Sequence, residues 1–277
     1  VGGYNNLIGK CNSFGSVIVG GGFNSHTGSS SYTFIGGGNK NAIKGTGLNS
    51  IIVGGLSSQI TTNFTTIVGG AYNAIHQANG FIGSGSLNKI NNGSQSSVIG
   101  GGVHNQTHGN FGNILGGYCN ETCIGAHNNI VGGKSNKISC PYSFIGGGLS
   151  NCIAGNYSIV VGGNNNFNCG VKSSIVGGCN NCIHSTSQHN FIGGGHDNEI
   201  DPDSDCSSII GGECNRIRND HNNTNIIGSC ITSVSANMLH ASTLFLIASS
   251  LPTSDPGVPG VVYRDGADLK ISLTYGS

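Results

Sequence analysis

The sequence predicts an all-β chain folded as a parallel β-solenoid, a roll with two short strands per coil. Three observations predict it. The unit Ile-x-Gly-Gly-x-x-Asn-x-Ile recurs about every 16 residues, as in Ile67–Ile75 and Ile175–Ile183. Aligned on the first position of the Gly-Gly pair, 15 units fall at 2, 20, 37, 54, 69, 84, 101, 116, 132, 147, 162, 177, 194, 211 and 228, with steps of 15 to 18 residues. Within a unit the fixed positions alternate with period two, the spacing of a pleated strand. So short and regular a repeat marks stacked coils that bury one another's apolar faces.

Each element follows from a column, counted from the first corner residue. Two positions before it every complete unit has a β-branched aliphatic, from Ile18 and Ile35 to Ile209 and Ile226, with Val160 the one valine. Four before it stands mostly Ser or Thr, as in Ser50, Thr65, Ser97 and Ser158. Ser-x-Ile is therefore the first strand, and β-branched residues favour that pleated setting. The second corner residue is Gly in 14 of 15 units, Ser229 being the exception. Glycine belongs where φ is positive or another backbone comes close. A helix is argued against, since each interior glycine costs a helix about 1 kcal/mol. Four positions after the first corner residue stands Asn in 13 of 15 units, with Ser58 and Thr232 the exceptions. Its amide suits turn backbone groups and, in a stack, the next coil's Asn. Six positions after comes Ile in ten units, which makes Asn-x-Ile the second strand. Stacked at roughly 4.8 Å per coil, the units give a rod of about 70 Å.

The outward sides of the two strands differ. On the first strand they are often apolar: Val17, Phe34, Ile51, Phe81 and Phe191 on one side of the inward Ile, and Val19, Val53, Val68, Leu115 and Val176 on the other. A strand apolar on both faces expects cover on both. The second strand carries Lys, Asn, Glu, Arg or Cys outward and reads as solvated. Two inward Ile per coil make a thin core, so burying the second apolar face between subunits is expected.

Ser-x-Ile-x-Gly-Gly-x-x-Asn-x-Ile resembles the head repeat of trimeric autotransporter adhesins and similar repeats of phage and large-virus fibre proteins, over residues 1–232. The resemblance implies a left-handed roll, three chains about one axis and attachment to a surface. The chain departs from bacterial adhesins in showing no coiled-coil stalk and no membrane anchor.

The chain has 277 residues, of which 8% are charged, no net formal charge, 50 Gly and no Trp. Its regular apolar columns set it apart from disordered chains of similar polarity. Neutrality gives no support for nucleic-acid partners or anionic membranes. No run of about 20 apolar residues predicts membrane insertion. Val1 falls midway through a unit, so the repeat domain is expected to extend upstream. Six Asn-x-Ser/Thr sequons, at Asn63, Asn92, Asn105, Asn120, Asn156 and Asn222, are near chance in so Asn-rich a chain.

Candidate chemistry is sparse, and no enzyme is expected. Residues 1–120 contain no Asp or Glu, so no acid–base carboxylate pair lies there. Gly100-Gly101-Gly102 is a solenoid corner; no Gly-Lys-Ser/Thr follows it as in a phosphate loop. The acidic run Asp197–Asp205 makes Asp201, Asp203 and Asp205 candidate metal ligands, since Asp-x-Asp-x-Asp begins a calcium loop. It lacks that loop's glycine and terminal glutamate. The columns favour ion pairing instead: Glu199 over Arg216, Asp201 over Arg218, and Glu121 over Lys137, as exposed pairs. Ten histidines scatter over different columns. Among 11 cysteines, Cys123 with Cys140 and Cys214 with Cys230 fall on adjacent coils, within disulfide range; small unpaired thiols are the alternative.

The period ends near Thr232. Residues 233–250 read as a connecting strand. Residues 251–277 read as a β-hairpin cap, with Val261-Val262-Tyr263 and Leu269–Leu273 flanking Asp265-Gly266. LPTSDPGVPGVVYRDGADLKIS is similar to a terminal module of phage and other viral structural proteins. The expected function is thus a structural fibre or appendage protein of a virus or phage, at the virion surface or outside the cell. Its expected partners are its own copies, other virion proteins, and a host-surface glycan or protein receptor. The alternative is the head of a cellular surface adhesin. An ice-binding solenoid, which needs a flat Thr ladder, and a glycan-cleaving tailspike rank below both.

Overall fold

The computed structural model describes residues 2–9, 13–123, 125–242, 262–265 and 268–271. They form two compact units, Val1–His240 and Ala241–Ser277. The first unit is the parallel β-solenoid. Its first strands, from Val17–Ile18 to Asn225–Ile227, stack with Leu239–Ala241 as a 15-stranded sheet. Its second strands, from Leu7–Ile8 to Arg216–Ile217, stack as a 14-stranded sheet. Equivalent columns meet coil upon coil, as in Phe34↔Ile51 with Ile35↔Ile52, and Lys137↔Cys152 with Ile138↔Ile153. No helix among the described residues is long and apolar enough to cross a membrane.

The core is the two Ile columns. Ile52, Ile82, Ile145 and Val160 of the first sheet, and Ile60, Ile90, Ile153 and Ile200 of the second, are completely buried. Four coils bury other residues in the second column, His26, Thr107, Thr122 and Asn168, while Val234 of the last unit is exposed. His26 keeps both ring nitrogens without a hydrogen-bond partner, and Thr107 and Thr122 their hydroxyls.

The Asn column closes one corner. Asn166 Nδ2 donates to Gly162 O of its own coil at 3.0 Å and to Gly178 O of the next at 3.1 Å. Its Oδ1 accepts the backbone N–H of Asn181 at 3.1 Å. The same arrangement recurs at Asn41, Asn88, Asn105, Asn120 and Asn151. The Ser/Thr column is a second polar ladder at another corner: Ser158 Oγ donates to Gly170 O at 2.6 Å and accepts Ser173 N–H at 3.3 Å. The glycine requirement recurs most regularly at the second corner residue. Gly163 has φ +90°, and a Cβ there would stand 2.2 Å from Gly178 O.

Two features go beyond two strands and two turns. A third column of single-residue parallel bridges follows the corner, running through Leu56, Ala71, Ser86, Val103 and Tyr118. Two columns are left-handed without being glycine: the residue after each of these bridges, as at Tyr72, and the residue before the Ser/Thr column, as at Phe111, Tyr142 and Tyr157. That conformation costs a non-glycine residue roughly 1–2 kcal/mol. It is held by hydrogen bonds that run backward along the stack, such as Tyr142 N–H to Ala126 O at 2.9 Å, while the strands bond forward. The rings themselves stack on consecutive coils, with centroids of Phe111, His127, Tyr142 and Tyr157 separated by 4.7, 5.2 and 4.8 Å.

In the second unit Val262–Asp265 pairs antiparallel with Asp268–Ile271, in the register Val262↔Ile271 to Asp265↔Asp268. Residues 243–261, where the remainder of the connecting strand and the proline-rich turns are expected, lie outside the described residues.

Two substitutions test this account. Asn166→Ala strips the Asn181 N–H of its buried acceptor and is expected to cost about 1–3 kcal/mol; Gly163→Ala should cost at least as much. Thermal unfolding and amide exchange in the adjoining coils measure both, and an unaltered midpoint for Asn166→Ala rejects the ladder as a principal support. His26→Ile restores the column and should stabilise by about 1–3 kcal/mol at neutral pH. Burial lowers the pKa of His26. The unfolded chain therefore takes up the proton first, and native stability falls as pH drops below about 6.5. Wild type should lose more stability than His26→Ile between about pH 7 and 5, and equal losses refute this.

Candidate functional site

The second sheet carries positions five and seven of each coil beside its buried Ile column, and two clusters of charged side chains form there. Glu121 lies in register with Lys137 one coil on. Lys137 Nζ approaches Glu121 Oε2 to 3.1 Å, and His108 Nε2 approaches Oε1 to 3.4 Å. Burial alone would raise the Glu121 pKa, but the hydrogen bond and charge of Lys137, with His108, bring it below the usual carboxylate value.

The densest cluster is built on three successive coils. Glu199 pairs in register with Cys182 on one side and Arg216 on the other. His184 Nε2 meets Glu199 Oε1 at 2.6 Å. Arg216 bridges two carboxylates: Nη1 lies 3.4 Å from Glu199 Oε2, and Nε and Nη2 both lie 2.9 Å from Asp201 Oδ2. Asp201 is buried at 3% exposure, and its Oδ1 has no hydrogen-bond partner. One ligand atom each from His184, Glu199 and Asp201 falls within 4.8 Å of the others. Asp201 and Arg216 also line an open depression of about 520 Å³ with Arg218, Asn219, His221 and Thr232.

The register therefore places the expected pairs of Glu199 with Arg216 and Glu121 with Lys137. It departs from expectation at Asp201, whose partner is Arg216 rather than Arg218 and which is buried rather than exposed. Arg216 projects between positions five and seven of the preceding coil and reaches both acids. Asp203 and Asp205 do not join Asp201: Asp203 takes a left-handed turn conformation with φ 57°, and Asp205 Oδ1 accepts Gln188 N–H at 2.7 Å. Residue type alone does not single out His184 among the histidines; its seventh position in the coil before Asp201 is the signal that finds it.

Cys119, Cys123, Cys140, Cys152, Cys169, Cys179, Cys182, Cys206, Cys214 and Cys230 are all free thiols. The Cys123–Cys140 pairing fails because positions seven and eight of a strand point to opposite sides, and Cys140 Sγ donates to Ala154 O at 2.7 Å. Cys214 and Cys230 stand side by side as unbridged, exposed neighbours. Burial pushes the Cys169 thiol to about 11 and, with Glu199, Cys169 and Asp201 adding, that of Cys182 to about 12. Thiols held so far above neutrality are poor nucleophiles. Two of the sequons are part of the buried ladder, at Asn105 and Asn120.

The first sheet is the opposite case. Val17, Val19, Phe81, Leu115, Ile159 and Ile227 are exposed on it, from one end of the solenoid to the other. Between Leu115, Val131 and Phe144 the face dips into a depression of about 360 Å³, where Asn113 and Asn129 replace the outward apolar residue. No protein-family model matches the chain, and no curated protein matches it.

The Glu121 cluster predicts a pH dependence. A carboxyl held below its ordinary pKa contributes stability that is complete above the unfolded value of about 4.3 and is lost as pH falls through the folded value. For a pair this exposed the contribution should stay below about 1 kcal/mol. Unfolding midpoints measured from about pH 5 to 3 should fall more steeply for wild type than for Glu121→Gln, and parallel curves contradict the pairing.

Proposed function

We propose that the chain is a structural fibre or appendage protein of a virus or phage, which works as a rigid homotrimeric rod and attaches to a host-surface glycan or protein. The observation that carries this reading is the apolar stripe along the whole first sheet. Soluble monomers rarely expose a continuous apolar patch of more than a few hundred Å². This one runs from Val17 and Val19 to Ile210 and Ile227, with Val53 and Leu115 48% and 59% exposed. It recurs coil after coil, which suits an equally regular partner, a second and third copy in register.

The corner glycines support the same arrangement. Gly54, Gly69, Gly116, Gly132, Gly162 and Gly177 follow directly on outward residues of that stripe. A Cβ built on any of them meets nothing within 4 Å of its own chain, and their φ values are not left-handed. Glycine there has no reason within the chain and costs backbone entropy. Close approach of another chain supplies the reason. The likeness of the repeat and of the C-terminal string to fibre and viral structural proteins points to the virion. In this reading the hairpin of Val262–Asp265 and Asp268–Ile271 is the end cap, and the exposed turns between units meet the host.

Sedimentation equilibrium should give three chains per particle. Val161→Lys with Val176→Lys, both on the exposed stripe, should dissociate it while far-UV circular dichroism still reports β-structure. Gly162→Ala should weaken association without that charge. A wild-type monomer overturns the assembly, and antibodies to the rod that fail to label virions overturn the placement.

A further inference from the structure

We infer that His184, Glu199 and Asp201 form a binding site for a divalent transition metal of the zinc class, held in shape by Arg216. The assignment rests on how the four carboxylate oxygens are used. Arg216 takes one oxygen from each acid, Glu199 Oε2 at 3.4 Å and Asp201 Oδ2 at 2.9 Å. The other two oxygens take no bond from Arg216. Glu199 Oε1 faces His184 Nε2 at 2.6 Å, and Asp201 Oδ1 is buried with no partner at all. A buried carboxylate oxygen without a donor is costly, by roughly 1–3 kcal/mol or more for a charged group. A cation within reach of it removes that cost.

The donor set decides which cation. One imidazole nitrogen and two carboxylates, with ligand atoms inside 4.8 Å of one another, suit an ion that binds at about 2.0–2.2 Å with few ligands. Calcium asks for 6–8 oxygens at about 2.3–2.6 Å, which this cluster does not supply. The ion takes the place of the hydrogen between His184 and Glu199. Those side chains are 38% and 33% exposed, free enough to part by the fraction of an ångström that tetrahedral ligation needs. An open depression borders Asp201 and Arg216 on the side of Arg218 and His221. Arg216 is a positioning residue: it fixes both carboxylates through their outer oxygens, as partners behind metal ligands do. The site is independent of whether the chains associate.

Cobalt(II) titration of the full chain tests this, because its spectrum separates nitrogen and oxygen ligands from thiolates. One ion per chain should bind, with visible d–d bands and no thiolate charge-transfer band, and zinc should displace it. His184→Ala and Asp201→Asn should each weaken binding by about tenfold or more. His184 is part-exposed, so its variant guards against a folding defect in the Asp201 variant. Asp203→Asn and Asp205→Asn should bind as wild type does. A strong thiolate band assigns the metal to the cysteines and overturns the site. So does unchanged affinity in His184→Ala, or loss of binding in Asp203→Asn or Asp205→Asn.

Discussion

Most coils are tied to the next through one asparagine amide, and much of the molecule follows from where that amide must sit. Asn151, Asn166, Asn181 and Asn198 are completely buried, and each uses both ends of its side chain. To reach the carbonyls of its own corner and the next, the chain must turn sharply at the second corner residue. There Gly163 and Gly178 pass so closely that a methyl group would overlap a carbonyl oxygen. Glycine and asparagine are thus one requirement expressed at two positions three residues apart. Where the asparagine is missing, the ladder breaks. Ser58 accepts no bond from Asn73, and its hydroxyl is left buried without a partner.

With the corners fixed, the Ile columns have only to fill the space between two sheets. They do so in two separate clusters, one from Ile18 to Ile99 and one from Ile114 to Ile226. The break falls at the coils where Thr107 and Thr122 replace Ile in the second column. On the outside of the same coils, Asn113 and Asn129 replace the apolar residues of the first sheet and bond to each other at 2.9 Å. Inside and outside therefore lose apolar surface at one level of the stack. Local opening begins where buried apolar contact is least, so the middle of the solenoid, rather than its ends alone, is a place of low cooperativity.

Most of this was legible because a solenoid turns sequence distance into spatial distance by a fixed rule. Columns at −2, +1, +4 and +6 announced the inward Ile, the corner and the ladder, and the stacking of Glu121 on Lys137 followed from counting. What could not be counted was side-chain reach. Register placed Asp201 over Arg218, but the longer arm of Arg216 crosses from position five to position seven and takes both acids. The left-handed corners were hidden for another reason. Tyr72, Phe111 and Tyr142 are residues that avoid positive φ when judged singly. Only the backward hydrogen bonds of the finished stack impose that conformation on them.

The same rule limits how such a chain can build a site. A side chain's nearest outward neighbours are its counterparts one coil before and after, about 4.8 Å away. Chemistry must therefore be written along columns, and the molecule shows it twice. Phe111, His127, Tyr142 and Tyr157 occupy one column and stack ring on ring, which offsets part of the strain of their left-handed backbone. His184 and Asp201 share another column, Glu199 and Arg216 the one beside it, and four residues from three coils converge without any loop to gather them. A cluster assembled in this way inherits the rigidity of the ladder beneath it. Its geometry is set by the asparagine corners, and its identity by four residues that the repeat leaves free to vary.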